Sequence, residues 1–298
     1  MPANSESALT AQIAKAAVLV EALPYLQNFR GQTFLVKVGG SAMEDRALLE
    51  GLLRDIVFLE AVGINPVLVH GGGKPISRAM EAAGLAPAFV DGLRITDASA
   101  IAVVEKVLGN EISPDLVETL NGFGGSALGI SGQSVFVGER IEGKDGQGKP
   151  VDLGFVGHVT AVETGSVAAQ IAREVVPVVT PLARDAASGM TLNVNADLAA
   201  SALATALKAS KLIYLSDVRG VLRVQSDEGS LISSVSAADF ERLRTDGVVS
   251  GGMLPKIQSA LDAIGAGVGK VHMIDGRIPH SLLLEVFTRT GIGTQIVA

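Results

Sequence analysis

FLVKVGGS at 34–41 and NPVLVHGGGKP at 65–75 decide the fold. Each begins as a short apolar, β-branched run of strand character and stops at glycines. Each is then followed by helical periodicity, over 48–61 and over 75–83. Two strands joined by a tight turn run antiparallel, whereas strand, helix, strand is the repeating unit of a parallel sheet. The repeat therefore predicts an α/β fold, an open and mainly parallel sheet sandwiched between helices.

Working outward, helices are predicted over 97–108 and 112–121, a strand over 175–182 and a strongly apolar helix over 197–208. The stretches 126–137 and 140–159 are short, polar and glycine-punctuated. They predict antiparallel hairpins with an exposed turn at 143–148. A second strand–helix series starts at 211–215. It continues through helices over 237–245 and 255–263 and a strand over 270–274, and ends in a helix over 279–287. Upstream, Leu9, Ile13, Ala16, Val20 and Leu23 fall three and four apart, which predicts an amphipathic helix over 7–23, ended or kinked by Pro24. That helix either packs on its own domain or serves as an arm for another subunit. The division expected is an arm over 1–30, a lobe over 31–208 and a lobe over 209–298. The boundary near 205–211 is soft, with one sheet running through it.

With 298 residues, 48% hydrophobic and 18% charged, the chain can bury a large core. Cysteine is absent, so disulfides and thiolate metal sites are excluded. His70, His158, His272 and His280 are too scattered for a zinc pattern. The net charge of −7, with no basic run, argues against a nucleic-acid partner, so an anionic substrate must be held by local donors. Only Lys15 precedes the apolar stretch 16–20, and Glu21 and Pro24 follow at once, which is no secretory signal. No uncharged apolar run reaches transmembrane length. A cytoplasmic protein with no membrane partner is expected.

Parallel sheets bind ligands outside the carboxyl ends of their strands, where glycine-rich turns aim backbone N–H groups at anions. The turns at 39–41 and 71–73 are so placed, and Ser-Gly-Gly-Met at 250–253 is a third such segment. No P-loop is complete, because Pro75 follows Gly73-Lys74 and Val271 follows Gly269-Lys270. Gly265, Gly267 and Gly269 precede a strand, so they read as a turn and not as a dinucleotide fingerprint. What is complete is an ordered set of segments. Lys37 stands before Gly39-Gly40, and His70 before Gly71-Gly72-Gly73. GLRIT follows at 92–96, NVNAD at 193–197, SDVRGV at 216–221 and GGMLPK at 251–256.

In this order, from about Phe34 to the C-terminus, the set resembles the amino-acid kinase family and, within it, the acetylglutamate kinases. The resemblance implies the amino-acid kinase fold, with the acyl-amino-acid site in the N-terminal half and ATP in the C-terminal half. It implies transfer of the ATP γ-phosphoryl group to the side-chain carboxylate of N-acetyl-L-glutamate, with Mg²⁺ on the nucleotide. Lys37 and Lys256 match the family's two phosphoryl-stabilising lysines, and Asp197 matches the carboxylate that orients both. Gly72 and Gly73 would offer N–H groups, Arg94 would grip the α-carboxylate, and Asn193 would bind the acetamido end. Gly39, Gly40, Ser216, Asp217, Gly220, Val221 and Met253 would line the nucleotide site. Those residue types suit the chemistry: phosphoryl transfer needs two anions held in line and their charge neutralised, and an ionised carboxylate acceptor needs no general base.

Taken singly, each residue has a plainer reading. Lys37 is a solvated strand edge, Asp197 a helix cap, Asn193 a turn residue, Arg94 a surface charge, and the glycines are turns. His70 reads as a structural strand-end residue that hydrogen-bonds nearby backbone. The chain departs from the relatives' usual pattern at Val38 and Ser41 (commonly Tyr and Asn), at Lys74-Pro75, and at Arg219 in the nucleotide segment.

EALPYL at 21–26, Phe29, His272, IDGRIPH at 274–280, Glu285 and GIGT at 291–294 resemble the arginine-inhibited, hexameric members. That likeness implies feedback inhibition by L-arginine at a site including Lys211, His272, Glu285 and Gly291. It also implies a hexamer built as a trimer of dimers through the arm. Two alternatives stay open: a non-catalytic, arginine-sensing kinase-like protein, and a kinase for an aminoadipate derivative.

Overall fold

The computed structural model describes residues 3–298 except 91, 145, 147 and 250–252. Helix α1 (Ala3–Phe29) leads into strand β1 (Thr33–Val38), which ends at Gly39-Gly40. Helix α2 (Arg46–Ala61) returns the chain to β2 (Asn65–His70), and α3 (Gly73–Ala82) leaves the next glycine turn. Asp45 starts α2 by accepting hydrogen bonds from the Ala47 and Leu48 N–H groups. β1 and β2 are parallel, with Val38 opposite His70, so both glycine turns leave the same edge of the sheet.

Six further strands complete the sheet: β3 (Ala127–Ile130), β4 (Val176–Val179), β5 (Lys211–Ser216), β6 (Ser234–Val235), β7 (Lys270–Asp275) and β8 (Thr294–Ile296). Their order is β6-β8-β7-β5-β1-β2-β4-β3. Every neighbouring pair is parallel except β7 with β8. β5 lies directly against β1, with Tyr214 opposite Lys37, so a single sheet runs through the region near 209. Along β1, Phe34, Val36 and Val38 enter one core and Leu35 the other, the two-residue alternation of a strand buried on both faces.

Several expectations are corrected. No hairpin forms over 126–137: its first part is β3, parallel to β4, and the antiparallel pair is Phe136–Lys144 with Pro150–Val162. That pair closes a small barrel with Leu182–Asp185 and Thr191–Val194. The strand expected over 175–182 breaks at Thr180-Pro181, because proline has no N–H for the ladder. Between α4 (Ala98–Glu105) and α5 (Ser113–Gly122) the chain stays helical through a π-helical stretch, Lys106–Ile112. The remaining helices used below are α6 (Ala196–Ala206), α7 (Met253–Gly265) and α8 (Ser281–Val286).

Pro24 does not end α1, which continues to Phe29. An exposed helix can lose one internal bond because the freed carbonyl reaches water. Exposed Val18 and Leu19 lie off the stripe of Leu9, Ile13 and Val20, so α1 is apolar around its circumference and not amphipathic as expected, and this part of it does not pack on its own body. Its end does: Phe29 meets Phe34, and Tyr25 meets Phe287. No described helix is long and apolar enough to cross a membrane. Ser250, Gly251 and Gly252 of the third glycine segment, and Asp145 and Gln147 of the expected exposed turn, lie outside the described residues.

Candidate active site

Two cavities open beyond the carboxyl ends of β1, β2 and β5. One, of about 320 Å³, is lined by Lys37, Gly39, Gly40, Gly71, Gly72, Gly73, Arg94, Asn193 and Asp197, among others. The other, of about 330 Å³, is lined by Lys37, Gly40, Leu215, Ser216, Asp217, Val218, Met253 and Lys256. Lys37 and Gly40 belong to both, so the two spaces meet at the end of β1. A larger cavity, about 770 Å³, lies under α1 beside Gly63 and Glu174; Leu23 and Leu26 of the arm line it, and none of the expected catalytic, substrate, nucleotide or arginine residues does.

Asp197 stands at the junction. Asn195 caps α6 by accepting from the Asp197 and Leu198 N–H groups, which places Asp197 in the first turn. Its carboxylate lies 2.8 Å from the Lys37 ammonium and 3.4 Å from that of Lys256. Burial works against the ionised carboxylate, but the two ammonium groups outweigh it and hold Asp197 below its ordinary value. Lys37 comes from β1 and Lys256 from α7, so one carboxylate fixes two cations drawn from distant parts of the chain. Tyr214, fully buried, hydrogen-bonds the Asp197 carbonyl from below.

The substrate-side residues also converge. Arg94 is buried, donates to the Gly73 carbonyl (2.7 Å) and the Ser77 hydroxyl (2.9 Å), and lies over the Phe89 ring. Burial lowers its pKa from the ordinary guanidinium value. The Asn193 amide reaches Thr96, whose hydroxyl in turn donates to the Arg94 carbonyl. Thr96 escaped the sequence reading, although it closes the GLRIT segment. Glu44 did too: at the cavity mouth it binds Lys74 at 2.6 Å and Arg78 at 2.9 Å.

On the other side, Asp217 accepts from the Ser41 N–H and hydroxyl. Gly40 between them has φ +71°, and a Cβ there would sit 2.5 Å from the Asp217 carboxylate, so glycine is required twice over. Ser216 and Met253 line the cavity. Gly220 and Val221 line neither cavity: the Val221 N–H donates to Thr294 and Val221 pairs with Ile232, so they form the wall behind. Arg219 turns outward to Glu228 at 3.4 Å.

Lys211, His272, Glu285 and Gly291 form a separate group at the opposite end of the sheet. Lys211 Nζ is 3.2 Å from His272 Nε2, and His272 Nδ1 is 2.7 Å from Glu285. The other Glu285 oxygen accepts the Ile292 and Gly293 N–H groups. Phe29 of α1 lies over Lys211, 5.0 Å from its ammonium. Burial pushes Lys211 down to about 8.

The Amino acid kinase family model matches residues 32–275. The acetylglutamate kinase of Akkermansia muciniphila is 53% identical over 98% of both chains, and that of Aquifex aeolicus 46% identical over 95% of this chain and 98% of its own. Among solved structures, N-acetylglutamate synthase from Neisseria gonorrhoeae superposes with a TM-score of 0.82 at 28% identity. The match covers 95% of this chain and 63% of that one. A Giardia carbamate kinase, at 17% identity and a TM-score of 0.65, shares the fold. With the family model covering most of its length and close relatives matching it end to end, the chain belongs to the amino-acid kinase family, as a member of its ATP-dependent acetylglutamate kinases.

Proposed function

We propose that this chain transfers the γ-phosphoryl group of MgATP to the side-chain carboxylate of N-acetyl-L-glutamate, giving N-acetyl-L-glutamyl 5-phosphate and ADP. The observation that carries this reading is the Lys37–Asp197–Lys256 arrangement at the junction of the two cavities. A phosphoryl group crossing that junction passes between two ammonium groups already held in place. Fixed charges aimed at the transferring group cost no reorganisation during reaction. Asp197 holds both lysines and takes no proton, since its carboxyl is kept ionised.

The acyl amino acid occupies the 320 Å³ cavity. Arg94 grips its α-carboxylate, Asn193 its acetamido group, and the Gly72 and Gly73 N–H groups its reacting carboxylate. MgATP enters past Gly39, Gly40, Ser216, Asp217 and Met253, with Gly220 and Val221 behind. The described residues contain no cluster of three metal-ligating side chains. Mg²⁺ is expected on the ATP phosphates, where it neutralises charge.

The lobes 31–208 and 209–298 are assigned to these two substrates. L-Arginine is assigned to the Lys211–His272–Glu285–Gly291 group, whose acceptor chemistry suits a guanidinium. The exposed apolar side chains of α1 are assigned to assembly as a hexamer, a trimer of dimers. The test is ADP release from MgATP with N-acetyl-L-glutamate, against L-glutamate, L-aspartate and UMP, with and without L-arginine. Turnover with N-acetyl-L-glutamate alone, suppressed by arginine, is expected. Arginine binding with no turnover on any acceptor would replace the kinase reading with that of a sensor.

A further inference from the structure

His70 is fully buried at the end of β2 and touches neither cavity, yet the glycine turn that lines the first cavity starts at the next residue. Its ring Nδ1 lies 3.0 Å from the Gly71 carbonyl. A carbonyl only accepts, so Nδ1 carries the proton and donates. Nε2 is then a bare acceptor, and among the described residues it has no partner. Burying a polar atom unpaired is a cost that a leucine in the same space would avoid. Burial also pushes the imidazole down to about 4, so it stays neutral at physiological pH.

The turn explains what this cost maintains. The Gly71 N–H donates to the Val38 carbonyl (2.8 Å), tying the second glycine turn to the first. The Gly72 carbonyl accepts from Ile76, and the Gly73 carbonyl from Arg94 and Ser77. The Gly71 carbonyl is held by His70. All three carbonyls are thereby tied off within the protein. No peptide bond here is cis, and in a trans peptide the N–H points opposite to the C=O. With the Gly71 carbonyl turned into the core, the Gly72 N–H of the same peptide points out to the cavity. Among the described residues that N–H has no acceptor.

We propose that His70 is a positioning residue for phosphoryl transfer: by holding the Gly71 carbonyl inward, it aims the Gly72 N–H at the reacting carboxylate and the group it receives. The inference rests on the kinase reading above. Losing the ring frees the peptide to flip, which would present a carbonyl oxygen to two anions.

The experiment compares His70→Leu, which fills the space without a donor, with His70→Asn, whose amide nitrogen can reach the same carbonyl. Thermal midpoints, kcat, both KM values and the pH profile are measured. In parallel, the affinity for aluminium fluoride in the presence of MgADP and N-acetyl-L-glutamate is titrated as a turnover-independent readout. His70→Leu is expected to lower kcat by about 10–100-fold and to weaken aluminium fluoride binding in proportion, with small changes in KM, as for a donor engaged mainly in the transition state. His70→Asn is expected to restore most of both, and no step in kcat attributable to His70 is expected between pH 5.5 and 8. A folded His70→Leu that matches wild type, or a folded His70→Asn as impaired as the leucine variant, overturns the inference while leaving the kinase standing. If wild type neither turns over nor binds the fluoride complex, the kinase reading falls and this inference with it.

Discussion

Asp217 and Ser41, separated by 176 positions in sequence, are joined twice: one carboxylate oxygen accepts both the Ser41 N–H at 2.8 Å and its hydroxyl at 2.7 Å. The contact ties the end of β5 to the glycine turn after β1 and fixes Gly40, which lies between the two cavities. Asp217→Ala removes both bonds. With charge-assisted bonds contributing roughly 1.5–3 kcal/mol each, KM for MgATP is expected to rise at least about tenfold. Ser41→Ala keeps the backbone bond, so its effect should be several-fold smaller. Initial-rate kinetics on both variants decide the matter, and equal effects would mean that the turn does not depend on Asp217.

Removing either ammonium group at the junction strips one preorganised charge from the transition state. Lys37→Ala and Lys256→Ala are each expected to raise the barrier by roughly 2–4 kcal/mol, seen in kcat more than in KM. Asp197→Asn leaves both lysines in place but unheld, and the double variant with Lys37→Ala should cost less than the sum of the singles. Near-normal kcat in either lysine variant rejects its role.

The parallel sheet and both glycine turns were legible because periodicity and punctuation are local signals. Lys37, Asp197 and Lys256 came from motif order, and the 2.8 and 3.4 Å contacts put them together. The Ser41–Asp217 bond was not legible, because nothing local in SDVRGV says which distant turn it meets. The π-helical stretch 106–112 has no sequence signature either, since the stretch keeps the apolar spacing of an ordinary helix. Pro24 misled for the opposite reason: a strong local rule was overridden on an exposed helix. His70 was read correctly as bonding nearby backbone, but its consequence for the next peptide needed coordinates.

That π-helical stretch supports the second glycine turn from behind. A Cβ on Gly72 would come within 2.6 Å of Leu108 and 3.1 Å of Ile112, both carried by it. Gly72→Ala should therefore destabilise by about 1–3 kcal/mol, as overpacking does. Adding Leu108→Ala should recover part of the loss, measured as urea midpoints. A Gly72→Ala variant as stable as wild type would show that the wall yields.

The Lys211–His272–Glu285 group makes stability pH-dependent on two limbs. Glu285 is held below its ordinary carboxylate value: burial opposes ionisation, but the His272 bond and the Ile292 and Gly293 N–H groups outweigh it. Its contribution is present above the unfolded pKa and is lost as pH falls through the folded one. The stability gap between wild type and Glu285→Gln should then shrink below about pH 4. Lys211 acts at the other end. Between about 8 and its ordinary 10.5 the unfolded chain binds a proton that the folded chain does not, so stability rises with pH in that window. Lys211→Met should flatten that rise in chemical denaturation followed from pH 7 to 10.5; an unchanged slope would remove Lys211 from the account.

The arm offers the sharpest separation of catalysis from control. Leu9, Ile13, Val18, Leu19 and Val20 lie exposed around α1, and burying that apolar surface against another copy is worth about 25 cal/mol for each Å² removed from water. The end of the same helix places Phe29 over Lys211, so whatever seats the arm also bears on the group assigned to arginine. Neither contact reaches the cavities around Asp197. Deleting residues 1–26 should leave ADP release intact, convert a hexamer to dimers in sedimentation velocity, and abolish inhibition by L-arginine, because arginine can act only by favouring one of two arrangements that the arm distinguishes. Full arginine sensitivity in the truncated chain would place the response within the body of the subunit, and the arm would be left with assembly alone.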